Sequence, residues 1–249
     1  MIINQEIQNL IGRGALFVVN HSGGKDSQAM LIALRELIPA GQLLVIHADL
    51  PEVDWAGIGE HITATAGDLP IIVCRATKTF FEMVERRGMF PSPQQRQCTS
   101  DLKRGPIERE IRRYLAAHPE FHHLVVNCMG LRSQESSTRA RLETFKRSTR
   151  NSVAGREWYD WLPIHELTTA QVFESIAAAG QKPHWAYAAG MTRLSCCFCI
   201  MGSRADTQTA ARINPELYRR YVETERKIGK TFRMPKDGGL ETFTGIKAA

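Results

Sequence analysis

The run His21-Ser22-Gly23-Gly24-Lys25-Asp26-Ser27 assembles the residue types that hold a phosphate group. Two adjacent glycines let the backbone approach an anion closely, and successive N–H groups leading into a helix N-terminus supply partial positive charge. Lys25 adds a full charge, and the Ser22 and Ser27 hydroxyls can donate hydrogen bonds. A Walker-type loop does not fit. Val19 stands where its first glycine is needed, and Asp26 rather than Ser or Thr follows the lysine. The chemistry expected at Ser22–Ser27 is nucleotide binding.

Cysteines form the second group. Cys196 and Cys199 make a C-x-x-C pair with an extra thiol at Cys197, and Cys98 lies far upstream. Thiolates so spaced bind soft metal, either zinc or an iron–sulfur cluster, and a redox dithiol is the other reading. Cys74 and Cys128 fall in apolar runs, where a buried structural thiol is expected. Asp49, in His47-Ala48-Asp49-Leu50-Pro51-Glu52, follows an apolar run. A carboxylate there suits a ribose, an adenine edge or a metal-bound phosphate, or serves only a turn. Arg132, Arg139 and Arg141 offer guanidinium forks for phosphate or sulfate, with Glu135 as an orienting group. Lys103, near Cys98, can also reach a phosphate.

These residues need a scaffold, and the apolar periodicity supplies one. Leu16–Asn20, Leu43–Ala48, Ile71–Arg75 and Leu124–Cys128 are short apolar runs of the kind a buried parallel sheet requires. Helices are predicted over Ser27–Leu37, Asp54–Ala66, Thr79–Arg87, Pro106–Ala117 and Thr169–Ala179. This alternation predicts an α/β fold with a doubly wound, mostly parallel sheet and ligands at the carboxyl ends of its strands. A nucleotide-binding α/β domain over 1–165 and a cysteine-bearing helical extension over 166–249 are expected. Residues 88–105 read as a loop, and the polar, basic stretch 133–157 as a mobile or substrate-ordered one.

Composition narrows the class. In 249 residues, 43% hydrophobic and 23% charged, no apolar run approaches the ~20 residues of a membrane span. The first residues lack a secretory signal's basic start, so a cytoplasmic protein without membrane contact is expected. Residues 96–150 carry twelve Lys and Arg against six Asp and Glu, the whole of the chain's net +6. Such a block serves a polyanion, or the phosphates of a nucleotide, or is solvated helix charge.

Together the motifs resemble the phosphoadenosine phosphosulfate reductase family of the PP-loop ATP pyrophosphatase superfamily, with an adenine nucleotide alpha hydrolase-like fold. The resemblance runs from the Ser22–Ser27 loop through Cys98-Thr-x-x-Leu-Lys, Gly130-Leu131-Arg132-Ser133-Gln134-Glu135-Ser136 with Arg139, and Trp161-Leu162-Pro163-Ile164, to Arg193-Leu194-Ser195-Cys196 and Cys199. It implies that Ser22, Gly23, Gly24, Lys25, Asp26 and Ser27 cradle the phosphates of ATP, and that Asp26 helps to hold Mg²⁺. Asp49, Gly130 and Arg132 then complete the nucleotide site, with Lys25, Asp26 and Arg132 as the catalytic set. It further implies a [4Fe–4S] cluster on Cys98, Cys196 and Cys199, with Cys197 or an open position as the fourth site.

Reductases of this family use a cysteine near the C-terminus, whereas here no cysteine follows Cys199. Within the family the chain looks most like members that act in DNA phosphorothioation. That likeness implies cleavage of ATP to AMP and pyrophosphate, adenylation of an acceptor, and sulfur transfer to nucleic acid, DNA ahead of RNA. A cysteine desulfurase or another sulfur donor would be a partner, and a homodimer is allowed. Reduction of adenosine or phosphoadenosine phosphosulfate, and a nucleotide-binding module with structural zinc, are the alternatives.

Overall fold

A computed structural model describes residues 4–248. In chain order its helices are α1 (Gln5–Gly12), α2 (Lys25–Leu37), α3 (Ile58–Ala66), α4 (Phe80–Arg87), α5 (Gln97–Thr99) and α6 (Gly105–Ala117). They continue as α7 (Ser137–Ala140), α8 (Thr169–Ala178), α9 (Trp185–Ala188), α10 (Arg204–Ile213), α11 (Pro215–Ile228) and α12 (Leu240–Thr244). The strands are β1 (Leu16–Asn20), β2 (Leu43–Ala48), β3 (Ile71–Cys74), β4 (Leu124–Cys128), β5 (Phe145–Arg147) and β6 (Glu157–Trp161). Two compact units result. One takes in the chain through His47, Gly59–Val73 and Ile107–His184; the other takes in Ala48–Ile58, Cys74–Pro106 and the chain from Trp185. Among the described residues no helix is long and apolar enough to cross a membrane.

The first unit is built on a sheet in the order β3-β2-β1-β4-β6-β5. β1 runs parallel to β2 and β4, β4 runs parallel to β6, and β5 pairs antiparallel with β6. Side chains along a strand alternate between faces, yet Leu16, Phe17, Val18 and Val19 are all buried, so both faces of β1 are covered. Each such side chain contributes about 1.5–3 kcal/mol by leaving water. The expected mostly parallel α/β sheet is present.

Two stretches depart from the sequence reading. Residues 133–157 hold a 3₁₀ turn, α7 and β5 rather than a featureless loop. β5 is an edge strand paired on one side only, with Lys146 and Arg147 exposed, so it lacks the apolar run of an inner strand. In β6, buried Trp158 and Trp161 are mixed with polar residues that face partners, which dilutes the apolar signal. The stretch 97–104 is helical, passing from α5 through a π-helical turn at Ser100–Arg104 into α6.

The second unit packs around an aromatic cluster. Tyr221 of α11 lies with its ring centroid 5.0 Å from Phe81 and Phe198, 5.2 Å from Phe232 and 5.4 Å from Phe80. Thr79 and Glu82 form a capping box that starts α4, and Gly88 ends it at φ 64°. The Glu225 carboxylate accepts from the backbone N–H of Phe232 at 2.6 Å and of Leu240 at 2.9 Å, fixing the chain beyond α11.

Candidate functional site

At the carboxyl end of β1 the chain turns through His21–Gly24 into α2. Gly23 takes φ 73°, a left-handed conformation that glycine adopts without strain. Gly24 is the N-cap and offers no side chain to the helix end, so the first-turn N–H groups of α2 are not capped from within. Those N–H groups and the helix dipole leave partial positive charge at this end.

A buried histidine that the sequence reading left without a role shapes the loop. The Thr65 hydroxyl donates to His61 O at 2.9 Å, so its oxygen accepts from His21 Nε2 at 3.2 Å. His21 Nδ1 is then the acceptor for Gly23 N–H at 3.0 Å. Burial, and then the neighbouring His61 and His47, lower the His21 pKa to about 3, so the ring is neutral in this tautomer. Ser27 also works within the loop: its hydroxyl donates to Gly24 O at 2.9 Å and accepts from Ser22 N at 3.2 Å. Ser22 is the exposed hydroxyl of the pair.

Lys25 is buried and pairs with Asp26 Oδ2 at 3.1 Å. Asp26 Oδ1 accepts from Arg132 Nε at 2.6 Å. Three further Arg132 donors reach Gln134 Oε1 and Leu167 O from Nη1, and Thr169 Oγ1 from Nη2, each at 3.1 Å. Arg132 is therefore an anchor between the turn after β4 and the start of α2, with four hydrogen bonds to the protein. One carboxylate between two cations leaves the trio at +1. Each Asp26 oxygen is engaged by one of these cations. Gly130 lies so close that a Cβ there would sit 3.1 Å from Asp26 C and O and 3.2 Å from Ser27 N. Arg139 pairs with Glu135, and Arg141 is exposed.

The other sequence-derived candidates lie in the second unit. Asp49 pairs with Arg75, whose Nη2 and Nε donate to its Oδ2 at 2.5 and 2.6 Å. The two line a cavity of about 130 Å³ together with Lys78, Thr79, Phe80 and Leu102. Cys98, Cys196 and Cys199 are half-buried and Cys197 is buried. The Cys98, Cys196 and Cys199 thiols and Asp54 surround the Lys103 ammonium, and their negative forms raise its pKa. Burial pushes Cys196 up to about 12 and raises Cys98 and Cys197 as well.

This geometry corrects the metal expectation. Among the described residues, no cysteine belongs to a group of three or more His, Cys, Asp or Glu side chains whose ligand atoms lie within 4.8 Å of one another. Cys98, Cys196, Cys197 and Cys199 thus do not form the expected [4Fe–4S] site. The reason is spatial, since these thiols are not among the ligand atoms gathered within 4.8 Å; burial raises Cys98 and Cys196, and the Lys103 ammonium acts on both in the opposite direction. Iron–sulfur-dependent sulfur transfer, which rested on that cluster, falls with it.

A family model described as the phosphoadenosine phosphosulfate reductase domain matches residues 17–202. Among solved structures, FMN adenylyltransferase from Candida glabrata is similar at 15% identity, over 78% of this chain and 57% of that chain, with a TM-score of 0.49. A phosphate complex of phosphoadenylyl-sulfate reductase from Candida auris is similar at 13% identity, over 79% of this chain and 97% of that chain, with a TM-score of 0.50. The match thus spans little more than half the length of the adenylyltransferase, and at such identities the likeness concerns the fold. No curated protein matches the chain.

Proposed function

Because the chain belongs to the phosphoadenosine phosphosulfate reductase domain family, we propose that it is an enzyme acting on an adenine nucleotide with a 5′-phosphosulfate. In this reading the Ser22–Ser27 loop seats the nucleotide's 5′-phosphate. The observation that carries it is the convergence, at the carboxyl end of β1, of the uncapped first turn of α2, the buried Lys25 and the left-handed turn at Gly23. In open α/β sheets, ligands bind at that end of the strands.

The electrons come from an external dithiol. One of its thiolates attacks the sulfate sulfur, and the S–O bond to the nucleotide breaks with both electrons leaving on the 5′-phosphate. The second thiolate attacks the sulfur of the S-sulfonated thiol, forming a disulfide and releasing sulfite. Lys25 and the α2 N–H groups hold the charge that builds on the departing phosphate, the interaction that grows in the transition state. His21 and Arg132 keep the loop in the shape that aims those donors.

The test is sulfite release from adenylyl sulfate and from phosphoadenylyl sulfate in the presence of dithiothreitol or thioredoxin. Sulfite from either substrate, lost in Lys25→Ala, supports the reading. Tight ATP binding with no sulfite from either substrate contradicts it.

A further inference from the structure

The opposite end of the first unit's sheet carries a second concentration of charge. Here β4 and β6 begin and β5 ends, whereas the nucleotide loop lies where β1 ends. An open cavity of about 780 Å³ is lined here by His122, Arg147, Thr149, Ser152, Arg156 and Glu157, among others. From Phe145 to Arg156 the chain carries Lys146, Arg147, Arg150 and Arg156 and no carboxylate.

Three further features set this region apart from ordinary solvated charge. First, Arg156 lies near Arg112 of α6. Burial and then the Arg112 charge lower its pKa, and neither residue has a carboxylate partner among the described residues. Arg156 Nε donates only to the backbone oxygen of Asn151, at 2.9 Å. Second, the loop that carries Arg156 is held in place. Buried Glu108 of α6 accepts from Asn151 Nδ2 at 3.1 Å and from Arg150 Nη2 at 2.8 Å. Glu157, the one carboxylate lining the cavity, is engaged by Arg13 at 2.7 Å and by the Tyr159 hydroxyl at 2.9 Å. Third, His122 and His123 are consecutive non-glycine residues at φ 52° and 55°, a conformation uncommon for L side chains and one that concentrates where a ligand is met. Hydrogen bonds from His122 N to Pro119 O and from Glu157 N to His123 O hold them there.

Like charges held together on a fixed frame, beside hydroxyls and an open cavity, make an anion site. We propose that this end of the sheet is a second phosphate-binding site, separate from the nucleotide loop, with Arg112, Arg147 and Arg156 as its cations. Its ligand is a phosphate group, supplied either as a free polyphosphate anion or by the phosphodiester backbone of a nucleic acid. The inference stands apart from the sulfonucleotide reading and does not need it.

Two probes decide between the sources: inorganic pyrophosphate by calorimetry, and a fluorescein-labelled single-stranded oligonucleotide by anisotropy. To keep pyrophosphate off the nucleotide loop, both are measured in the Lys25→Ala background, with and without Arg112→Ala/Arg147→Ala. These two substitutions leave the Arg156–Asn151 contact that shapes the loop, and circular dichroism checks the fold. A tenfold or greater loss of pyrophosphate affinity with the added pair, and no oligonucleotide binding, supports the site with a free anion as ligand. Oligonucleotide binding that weakens with salt, and whose log–log salt slope falls by about 0.7 for each contact removed, supports it with a nucleic-acid backbone as ligand. If neither probe binds the Lys25→Ala protein, or if the added pair leaves both affinities unchanged in a folded protein, the inference is overturned.

Discussion

Arg132 donates from Nε to Asp26 Oδ1 at 2.6 Å, joining the turn after β4 to the first turn of α2. The arginine is almost fully buried, and Asp26 holds Lys25 on its other oxygen. The position of Lys25 in the loop thus depends on a guanidinium more than a hundred residues along the chain.

Arg132→Ala removes one partner of a largely buried ion pair and leaves Asp26 to Lys25 alone. Breaking such a pair costs about 3–5 kcal/mol of stability. Nucleotide affinity should fall at least tenfold, which corresponds to about 1.4 kcal/mol. Arg132→Lys should rescue little, because an ammonium cannot reach Asp26, Gln134, Leu167 and Thr169 at once. Urea unfolding and calorimetric titration measure the two effects.

Gly130→Ala should press a methyl group onto the backbone of Asp26 and Ser27, neither of which is a flexible side-chain end. Overpacking of this kind costs about 1–3 kcal/mol and would displace the start of α2. Gly12→Ala, where a Cβ meets nothing within 4 Å, is the control and should be neutral or mildly stabilising. If both variants melt alike and bind nucleotide alike, the close approach at Gly130 does not matter.

Stability should fall on acidification through His21. Its folded pKa, about 3, lies below the ordinary value of 6.5, so between these values the unfolded chain binds the extra proton. Stability therefore rises with pH across this window and is lost as pH falls from 6.5 toward 3, by about 1.4 kcal/mol per unit for one proton. His21→Asn should be less stable at pH 7 and should flatten this part of the profile. Chemical unfolding between pH 4 and 7 reads the slope.

The Tyr221 hydroxyl is buried and has no hydrogen-bond partner among the described residues. Tyr221→Phe removes an unsatisfied polar atom and keeps the ring in its cluster with Phe80, Phe81, Phe198 and Phe232. The variant should be as stable as the parent or more so, by about 1 kcal/mol. A clear fall in melting temperature would mean that the hydroxyl is satisfied in solution.

Legibility in the sequence followed locality. β1, the glycine-rich turn and α2 form one continuous stretch whose apolar run, glycines and helix start all agree, so strand, loop and helix could be read together. Asn20 closes β1 as expected, and β2 and β4 hold their predicted bounds. What could not be read depended on partners distant in sequence. His21 looks like any residue before a serine until Thr65 fixes its tautomer. Arg132 reads as a phosphate fork, and nothing in its local sequence shows that it also donates to Asp26, Gln134, Leu167 and Thr169. β5 is a short edge strand that only its pairing with β6 defines. The cysteine spacing suggested a metal cluster, and where the thiols fall in space is not visible in a C-x-x-C pattern.

The central claim is that the Ser22–Ser27 loop seats the 5′-phosphate of a sulfonucleotide, and calorimetric titration of adenylyl sulfate tests it most directly. The account predicts saturable binding by the parent protein and at least a tenfold loss in Lys25→Ala, with circular dichroism unchanged. Equal affinity in the two proteins, or no binding to either, would contradict it.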